Sequence, residues 1–364
     1  MKKLVFIMAG MGNPNNVKRI EEAIARGIDV DVYAFKGMRD GPRDPEGVEV
    51  KMLRGFSADM PYWKRIGTVV KGIRSVLSHY RDGEAVYYLF RNDKAIIFTL
   101  LTNRPYIFEE ADMTHTNFKN PILRNAVEHR LKRVIRRSVM SAFRSDGFLQ
   151  YHFGDNRPDN VYVIPNRLHQ NILNVPEVAY TGLDASHLRY GFVGGIRYDT
   201  IFKFAETMLK NFPQHEMHFY GMYPNEKSRV QFEPLKQFKN CYFHGAFRSP
   251  DDLPEIYSKI DVLLSAYDVT GVNPRYAEPN KLYEALYFEK PIIVSSHSFL
   301  AEKVKRLGVG YDVDALDEKA IVELVTRIDA KSIEEKKHHF EKIDKKTCIN
   351  NNEEYFALLK EKLQ

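Results

Sequence analysis

Short apolar segments rich in β-branched residues alternate along the chain with longer amphipathic segments. The series begins with KLVFIMAG, NNVKRIEEAIARG and DVDVYAFKG. Short apolar runs predict buried strands, and apolar residues recurring at three- and four-residue spacing predict helices. Because strands that alternate with helices build βαβ units, the sequence predicts an α/β fold with parallel sheets.

The alternation is interrupted once, which predicts two domains. From Arg167 to about Leu188 the periodicity is poor, and it restarts at RYGFVGGI and TIFKFAETMLKNFP. A chain of 364 residues is also too long for one ordinary core. We therefore expect tandem α/β domains at 1–170 and 183–349, and a helix in the final segment NNEEYFALLKEKLQ.

Composition limits the class of protein. The apolar share of 44% and the charged share of 28% are typical of a soluble globular protein. The two cysteines, Cys241 and Cys348, exclude a disulfide scaffold, so a reducing cytoplasm is expected. The start MKKLVFIMAG is interpreted as a strand rather than a signal peptide, and no apolar run reaches the roughly 18 residues of a membrane span.

Positive charge concentrates in the first half of the chain. Residues 1–170 hold 28 Lys and Arg against 19 Asp and Glu, whereas the remainder holds 26 against 29. The segment NPILRNAVEHRLKRVIRRSVMSAF predicts one long helix that ends at Phe143. Between residues 122 and 145 the one acidic residue is Glu128, and the basic residues are Arg124, Arg130, Lys132, Arg133, Arg136, Arg137 and Arg144.

This basic helix, 122–144, has two interpretations. A solvated charged face is the simpler one. Attraction to anionic lipid is the other, with Trp63 as an added aromatic anchor, and it places the first domain at the inner face of the membrane. Nucleic acid is not expected as a partner, because the helix lacks interleaved aromatic residues.

The segment EPNKLYEALYFEK carries a charged pair at the start of a predicted helix. Pro279 suits the first turn and Asn280 is an alternative cap. Lys281 and Glu284 are three residues apart and form either a surface ion pair or a ligand site, in which Lys281 holds phosphate and Glu284 accepts a sugar hydroxyl. The helix follows the strand DVLLSAY, and ligands of open α/β sheets bind at the carboxyl ends of strands, which favours the ligand site.

Several motifs together resemble the GT-B glycosyltransferases of the family 4 type. They are VIPNR, RYGFVGGIRYDTIFK, HFYGMY, CYFHGAF, LPEIYSKIDVLLSAYD and EPNKLYEALYFEKPIIVSS, in that order. The resemblance implies two Rossmann-like domains facing across a cleft, with the nucleotide sugar on the second domain and the acceptor on the first. It also implies that the C-terminal helix, about 350–364, packs back on the first domain.

The resemblance implies a donor site as well. The residues that bind the donor diphosphate in that family match Gly194, Gly195, Arg197 and Lys203. The family's donor-binding helix start matches Asn280, Lys281, Leu282 and Glu284, and Glu284 corresponds to the glutamate that binds the ribose. The loop HGAFRSPDDL resembles the nucleobase segment, with His244 and Phe247 as candidate lining, although a histidine beside a strand is often structural. The family's first glutamate corresponds to Tyr276 here, so the E-x7-E pair is broken, with Glu278 nearby.

On the acceptor side, PYIFEEADMTHTNF ends a predicted strand in carboxylates. The resemblance suggests Glu110 or Asp112 as the catalytic base, with Glu109 and His115 as weaker candidates, and a helix cap as the alternative role of Asp112. The loop AGMGNPNN resembles the segment that faces the cleft, which makes Gly10 and Gly12 candidates for close approach to substrate, or simply a tight turn. It lacks the third glycine of a dinucleotide fingerprint, because Asn15 takes that place.

The sequence thus predicts a sugar transferase that acts on a nucleotide-sugar donor and an acceptor hydroxyl in polysaccharide or lipid-linked glycan assembly. A nucleotide-sugar 2-epimerase of the same fold and a non-catalytic donor-binding subunit are the alternatives. No cofactor and no metal are expected, since the DVD strings at 29–31 and 312–314 belong to other structural contexts.

Overall fold

The computed structural model describes residues 1–8, 10, 14–36, 44–55, 60 and 62–364. The chain forms two compact units. Unit 1 comprises Met1–Ile164 and Asn352–Gln364, and unit 2 comprises Pro165–Asn351.

Unit 1 is built on a parallel sheet. Its strands are β1 Lys3–Met8, β2 Val30–Phe35, β3 Val50–Leu53, β4 Ala85–Phe90, β5 Tyr106–Glu110, β6 Met140–Phe143 and β7 Val161–Val163. They are ordered β3-β2-β1-β4-β5-β6-β7, and each neighbouring pair is parallel. The central strands β1 and β4 are almost wholly apolar and buried, as strands covered on both faces must be.

Helices connect these strands. They are α1 Pro14–Ala25, α2 Tyr62–Ser78, α3 Asn92–Leu101, α4 Pro121–Arg137 and α5 Asp146–Phe153, with a 3-10 turn at Thr114–Asn117. Asn120 caps α4 by accepting hydrogen bonds from two backbone amides of its first turn, as a good N-cap residue does.

The prediction of one helix to Phe143 is wrong. The helix α4 ends at Arg137, and β6 follows after two residues. The Ser138 hydroxyl donates to the carbonyl of Ile135 at 2.8 Å, which terminates the helix, and Met140 then pairs with Ile107 of β5. In the sheet, all four residues of β6 are buried.

Unit 2 repeats the design with six parallel strands. They are β8 Arg189–Val193, β9 Glu216–Tyr220, β10 Cys241–Gly245, β11 Val262–Ser265, β12 Ile292–Ser295 and β13 Gly310–Val313, ordered β10-β9-β8-β11-β12-β13. The helices are α6 Asp199–Asn211, α7 Glu226–Phe232, α8 Leu253–Ser258, α9 Val272–Tyr276, α10 Asn280–Tyr287, α11 Phe299–Leu307, α12 Glu318–Arg327 and α13 Ala330–Phe340, with 3-10 turns at Gln170–Asn174, Glu233–Gln237 and Lys345–Cys348. One apolar core lies on each face of the sheet.

The last helix, α14 Glu353–Leu363, belongs to unit 1. Its residues Tyr355, Phe356, Leu359 and Leu363 join the core beneath β1 and β4. The hydroxyl of Tyr355 lies 3.0 Å from that of Tyr88. In the part of the chain that the structure describes, no helix combines the length and apolar character needed to cross a bilayer.

Candidate functional site

The charged pair of α10 is buried, so the interpretation of Lys281 and Glu284 as a surface ion pair is wrong. Lys281 is 6% exposed and Glu284 is 2% exposed. The Lys281 ammonium donates to Glu284 Oε2 at 2.5 Å, and the Tyr257 hydroxyl donates to the same oxygen at 2.6 Å. Asn280 Nδ2 donates to the other oxygen at 2.7 Å. Three donors from two helices therefore hold the Glu284 carboxylate in one orientation.

The glycine turn after β8 lies against this pair. Gly194 has a φ of 147°, and a Cβ at that position would stand 4.0 Å from Lys281 Cε. The Phe247 ring is the other neighbour, with its centroid 5.9 Å from the Lys281 ammonium. The fold therefore gathers Gly194, Phe247, Lys281 and Glu284, although 90 residues separate Gly194 from Glu284.

Arg197 and Lys203 have other partners. The exposed Arg197 guanidinium lies 4.9 Å from the centroid of the Tyr198 ring and donates to that hydroxyl at 2.7 Å. Lys203, in α6, forms an ion pair with Glu318 at the start of α12. Neither side chain contacts Lys281 or Glu284 in this arrangement, so their contact with a diphosphate stays a prediction.

Three further donor-site candidates occupy different surroundings. His244 is exposed and stacks on Tyr220 with ring centroids 4.2 Å apart. Leu282 is 0% exposed and packs in the core beside β12, so only its backbone can face a ligand. Gly195 is exposed, and a Cβ there would meet nothing within 4 Å.

Glu278, which lies near the missing first glutamate, has partners of its own, and its role in place of that glutamate stays a prediction. It is 4% exposed, accepts a hydrogen bond from Tyr283, and pairs with the Lys303 ammonium at 2.7 Å. Both of its oxygens are thus committed inside unit 2. Tyr276 ends α9 two residues earlier.

In unit 1, Glu109 is a structural charge. It is fully buried and accepts hydrogen bonds from Arg144 at 2.7 Å, from Arg19 at 3.1 Å and from the Tyr88 hydroxyl at 2.6 Å. Burial alone would raise the pKa of Glu109, but Arg19 and Arg144 outweigh it and lower that pKa below its ordinary value. Arg144 is therefore buried with Glu109, not part of the basic face to which the sequence pattern assigned it.

Glu110 belongs to a closed ring of polar side chains, which we call the carboxylate–histidine ring; all of its members are buried except Glu128, which is partly exposed. Its members are Asn92, Glu110, His115, Glu128 and His152. His152 Nε2 lies 2.7 Å from Glu110, and His152 Nδ1 lies 2.7 Å from Glu128. Glu128 also contacts His115 Nε2 at 2.5 Å. The Asn92 amide closes the ring with contacts of 2.9 Å to His115 Nδ1 and to Glu110.

The contacts of the ring fix its protons. Both nitrogens of His152 face carboxylates, so both must donate and the imidazole is charged. Burial acts to lower the pKa of His152, but attraction and hydrogen bonds from Glu110 and Glu128 outweigh it and raise that pKa to about 9. Burial likewise acts to raise the pKa of Glu128, but hydrogen bonds from His115 and His152 lower it.

His115, Glu128 and His152 also form the one group among the described residues whose ligand atoms are close enough to hold a metal ion, all within 4.8 Å of one another. Their hydrogen bonds favour protons instead. The Asn92 amide lies 2.9 Å from His115 Nδ1 and Glu128 lies 2.5 Å from His115 Nε2, so each nitrogen of His115 already has a hydrogen-bond partner. His152 carries protons on both nitrogens for the reason given above.

Of the two candidate bases, Asp112 is accessible and Glu110 is not. Glu110 is 0% exposed with both oxygens hydrogen-bonded inside the ring, whereas Asp112 is exposed in the loop after β5. The N-cap of the turn that follows is Met113. A Cβ at Gly10 would stand 3.6 Å from the carbonyl of Phe35, an ordinary contact distance, so close approach of a substrate to Gly10 stays a prediction. Gly12 lies outside the described residues.

Sequence reasoning did not find several partners of these groups. Asn92, Glu128 and His152 complete the ring, and Tyr257 completes the Glu284 site. Asn92, Glu128 and His152 come from segments without a family motif, and although Tyr257 lies in LPEIYSKIDVLLSAYD, no local spacing links it to Glu284. Position in the chain was the one available signal, because Asn92 lies two residues after the end of β4 and β5 ends at Glu110.

Two tandem parallel-sheet units with this strand order define a GT-B fold. Solved structures share it across the whole chain. Sucrose-phosphate synthase from Thermosynechococcus elongatus is 14% identical, with a TM-score of 0.67 over 100% of this chain and 98% of that one. HepE from Anabaena, solved with UDP and glucose, is 15% identical, with a TM-score of 0.65 over 99% and 100%. WaaG, a glycosyltransferase involved in lipopolysaccharide biosynthesis, is 14% identical, with a TM-score of 0.61 over 94% and 96%.

Residues 195–347 match the model of the family described as glycosyl transferases group 1. This segment covers most of unit 2, from the residue after Gly194 onward, and includes α6 and α10. The chain therefore has the GT-B fold, and unit 2 contains a segment similar to the glycosyl transferases group 1 family. None of the curated protein sequences is a significant match.

Proposed function

We propose that the chain transfers a sugar from a nucleotide-sugar donor to an acceptor hydroxyl in cell-surface polysaccharide or lipid-linked glycan assembly. The observation that carries this proposal is the buried Lys281–Glu284 pair beside Gly194, inside the matched group 1 segment. A buried charge pair at the carboxyl edge of a parallel sheet is costly for stability alone, and a ligand that uses it explains its presence.

The hydrogen-bonding capacity of the pair suits a nucleotide diphosphate. An ammonium has three donors, and Glu284 engages one of them, so Lys281 retains donors for phosphate oxygens. A carboxylate offers about four acceptor sites, and the three donors on Glu284 leave one for a ribose hydroxyl. Gly194 permits the phosphates to approach the backbone. HepE, which shares the fold, has been solved with UDP-glucose.

On the acceptor side, we assign the catalytic base to Asp112. It is the exposed carboxylate that follows β5, while Glu109 and Glu110 are enclosed by their partners. A base must come within hydrogen-bond distance of the acceptor hydroxyl, and the exposure of Asp112 allows this. Glu110 then serves to hold the loop through the ring. The role of Arg197 and Lys203 as diphosphate ligands and of His244 as nucleobase lining also stays a prediction.

We further propose that α4 brings unit 1 to an anionic membrane. Arg133, Arg136 and Arg137 are exposed on it, and the apolar side chains of Ile122 and Leu123 at its start are 79% and 48% exposed. A helix with exposed apolar residues in its first turn and exposed cations towards its end suits the surface of a bilayer. Absence of binding to anionic liposomes at physiological salt would contradict this docking. The cytoplasmic location expected from the cysteines stays a prediction.

The release of free nucleotide tests the function. With a nucleotide sugar and a suitable glycan acceptor, we expect nucleotide release that depends on the acceptor, with sugar incorporated in equal amount. A 2-epimerase would convert or release the donor without any acceptor, and a non-catalytic subunit would do neither. The group 1 match favours transfer over these alternatives.

A further inference from the structure

A cavity of about 550 Å³ opens in unit 1 between the end of β3 and one side of α2. Its lining is Met52, Leu53, Arg54, Met60, Lys64, Gly67, Thr68, Lys71, Gly72 and Ser75. Arg54 directly follows the last residue of β3, so the cavity lies at the carboxyl edge of the sheet, where ligands of parallel α/β units bind.

The cavity follows from the sequence of α2. Small residues recur along one side of this helix at Gly67, Thr68, Gly72 and Ser75, and they leave space above it. Gly72 is fixed by packing, because a Cβ there would stand 2.5 Å from the Phe35 ring. The helix is thus held against the end of β2 while its other small residues form the floor of an open space.

The walls of the cavity are of two kinds. Arg54, Lys64 and Lys71 supply positive charge, and none of the lining residues that the structure describes is acidic. The two lysines are seven residues apart, which places them about 10 Å apart along the helix. Within the described part of the chain, Arg54 and Lys71 form no ion pair. Leu53 and two methionines, one of them the 57% exposed Met52, supply the apolar wall.

We infer that this cavity binds an acceptor that joins a phosphate group to an apolar chain, that is, an anionic amphiphile. The cations at Arg54 and Lys71 suit phosphate oxygens, and the methionines suit a flexible hydrocarbon because their side chains adapt to irregular shapes. The inference rests on the proposed function, since it names the chemical class of the acceptor. It does not depend on the contacts of Lys281 or Glu284.

The experiment uses the full chain and a soluble probe, dihexanoyl phosphatidic acid below its micellar concentration, in isothermal titration calorimetry. The cavity variant is Arg54→Gln with Lys71→Gln. The matched control is Arg74→Gln with Arg81→Gln, which removes the same charge from exposed residues outside the cavity lining. We expect the cavity variant to bind the probe about tenfold more weakly or worse, because each charge-assisted hydrogen bond is strong, and the control to bind as the wild type does.

A second pair of measurements separates the amphiphile from free phosphate. The variant Met52→Ser should weaken binding of dihexanoyl phosphatidic acid and leave binding of inorganic phosphate unchanged. Equal weakening by the cavity and control variants would show general electrostatic attraction and would overturn the inference. So would inorganic phosphate that binds the wild type as tightly as the amphiphile, or an amphiphile that does not bind.

UDP binding in the same samples distinguishes a failure of this inference from a failure of the proposed function. We expect the cavity variant to retain the wild-type affinity for UDP. If the wild type bound the amphiphile through Arg54 and Lys71 but bound no nucleotide, the proposed function would fail and the cavity assignment would stand.

Discussion

The charged state of His152 predicts how the stability of unit 1 depends on pH. The folded pKa of about 9 exceeds the ordinary value of 6.5, so the ring contributes stability that is fully present below pH 6.5 and is lost as pH rises through 9. A shift of that size corresponds to about 3 kcal/mol of unfolding free energy. His152 is buried and bonded at both nitrogens, so solvent screens this contribution little.

Urea unfolding at pH 6 and pH 9.5 measures the effect. The single tryptophan, Trp63, lies in unit 1 and provides the fluorescence signal. The variant His152→Gln is the reference, because other groups titrate in the same window. Burial lowers the pKa of Lys18 to about 8, so Lys18 adds stability as the pH rises and opposes the effect of the ring.

We expect the free-energy advantage of the wild type over His152→Gln to shrink by about 3 kcal/mol between the two pH values. An NMR titration of the His152 imidazole should give a pKa well above the ordinary value. An advantage that does not change with pH, or a His152 that titrates near 6.5, would refute the assignment of protons in the ring.

Three further predictions concern unit 1 and the reaction. Arg144→Met should destabilise unit 1 by about 3 kcal/mol in urea unfolding, because it removes one of the two guanidinium partners of the buried Glu109. A variant as stable as the wild type would contradict the structural role of the Arg144–Glu109 pair. Asp112→Asn should slow sugar transfer about a hundredfold and leave UDP affinity unchanged, and a full rate would exclude Asp112 as the base. Chelation with EDTA should not change the transfer rate, because hydrogen bonds within the ring already engage the nitrogens of His115 and His152. A rate that fell on chelation and returned with a divalent metal would contradict this account.

The periodicity of the sequence predicted the α/β class, because strands and helices leave their own spacing in the chain. GT-B architecture followed from the resemblance, and the structural matches confirm it. The end of α4 was missed because VIRRSVMSAF continues a helical apolar pattern, and the sheet pairing that overrides it involves Ile107, far away in sequence. Short elements such as β3 and α3 gave too little pattern to be detected.

The candidate sites show the same limit. Sequence reasoning selected Lys281 and Glu284 but not their burial, which depends on Tyr257 from another helix. It selected Glu110 as a candidate base but did not predict that His152 and Glu128 enclose it, because these two residues come from separate helices. A motif identifies which residues are unusual, whereas contacts from distant segments decide whether a side chain can reach a substrate.

Binding of nucleotide sugars to the wild type and to donor-site variants tests the central claim most directly. In calorimetry with UDP, GDP and CMP sugars, we expect one donor class to bind the wild type, and Lys281→Met and Glu284→Gln each to weaken it about tenfold or more. Glu278→Gln is the matched control, since it changes a buried carboxylate of the same segment whose partners are Tyr283 and Lys303. It should retain donor affinity. Unchanged affinity in both donor-site variants, or no binding of any donor to the wild type, would contradict the assignment of this site to the nucleotide sugar.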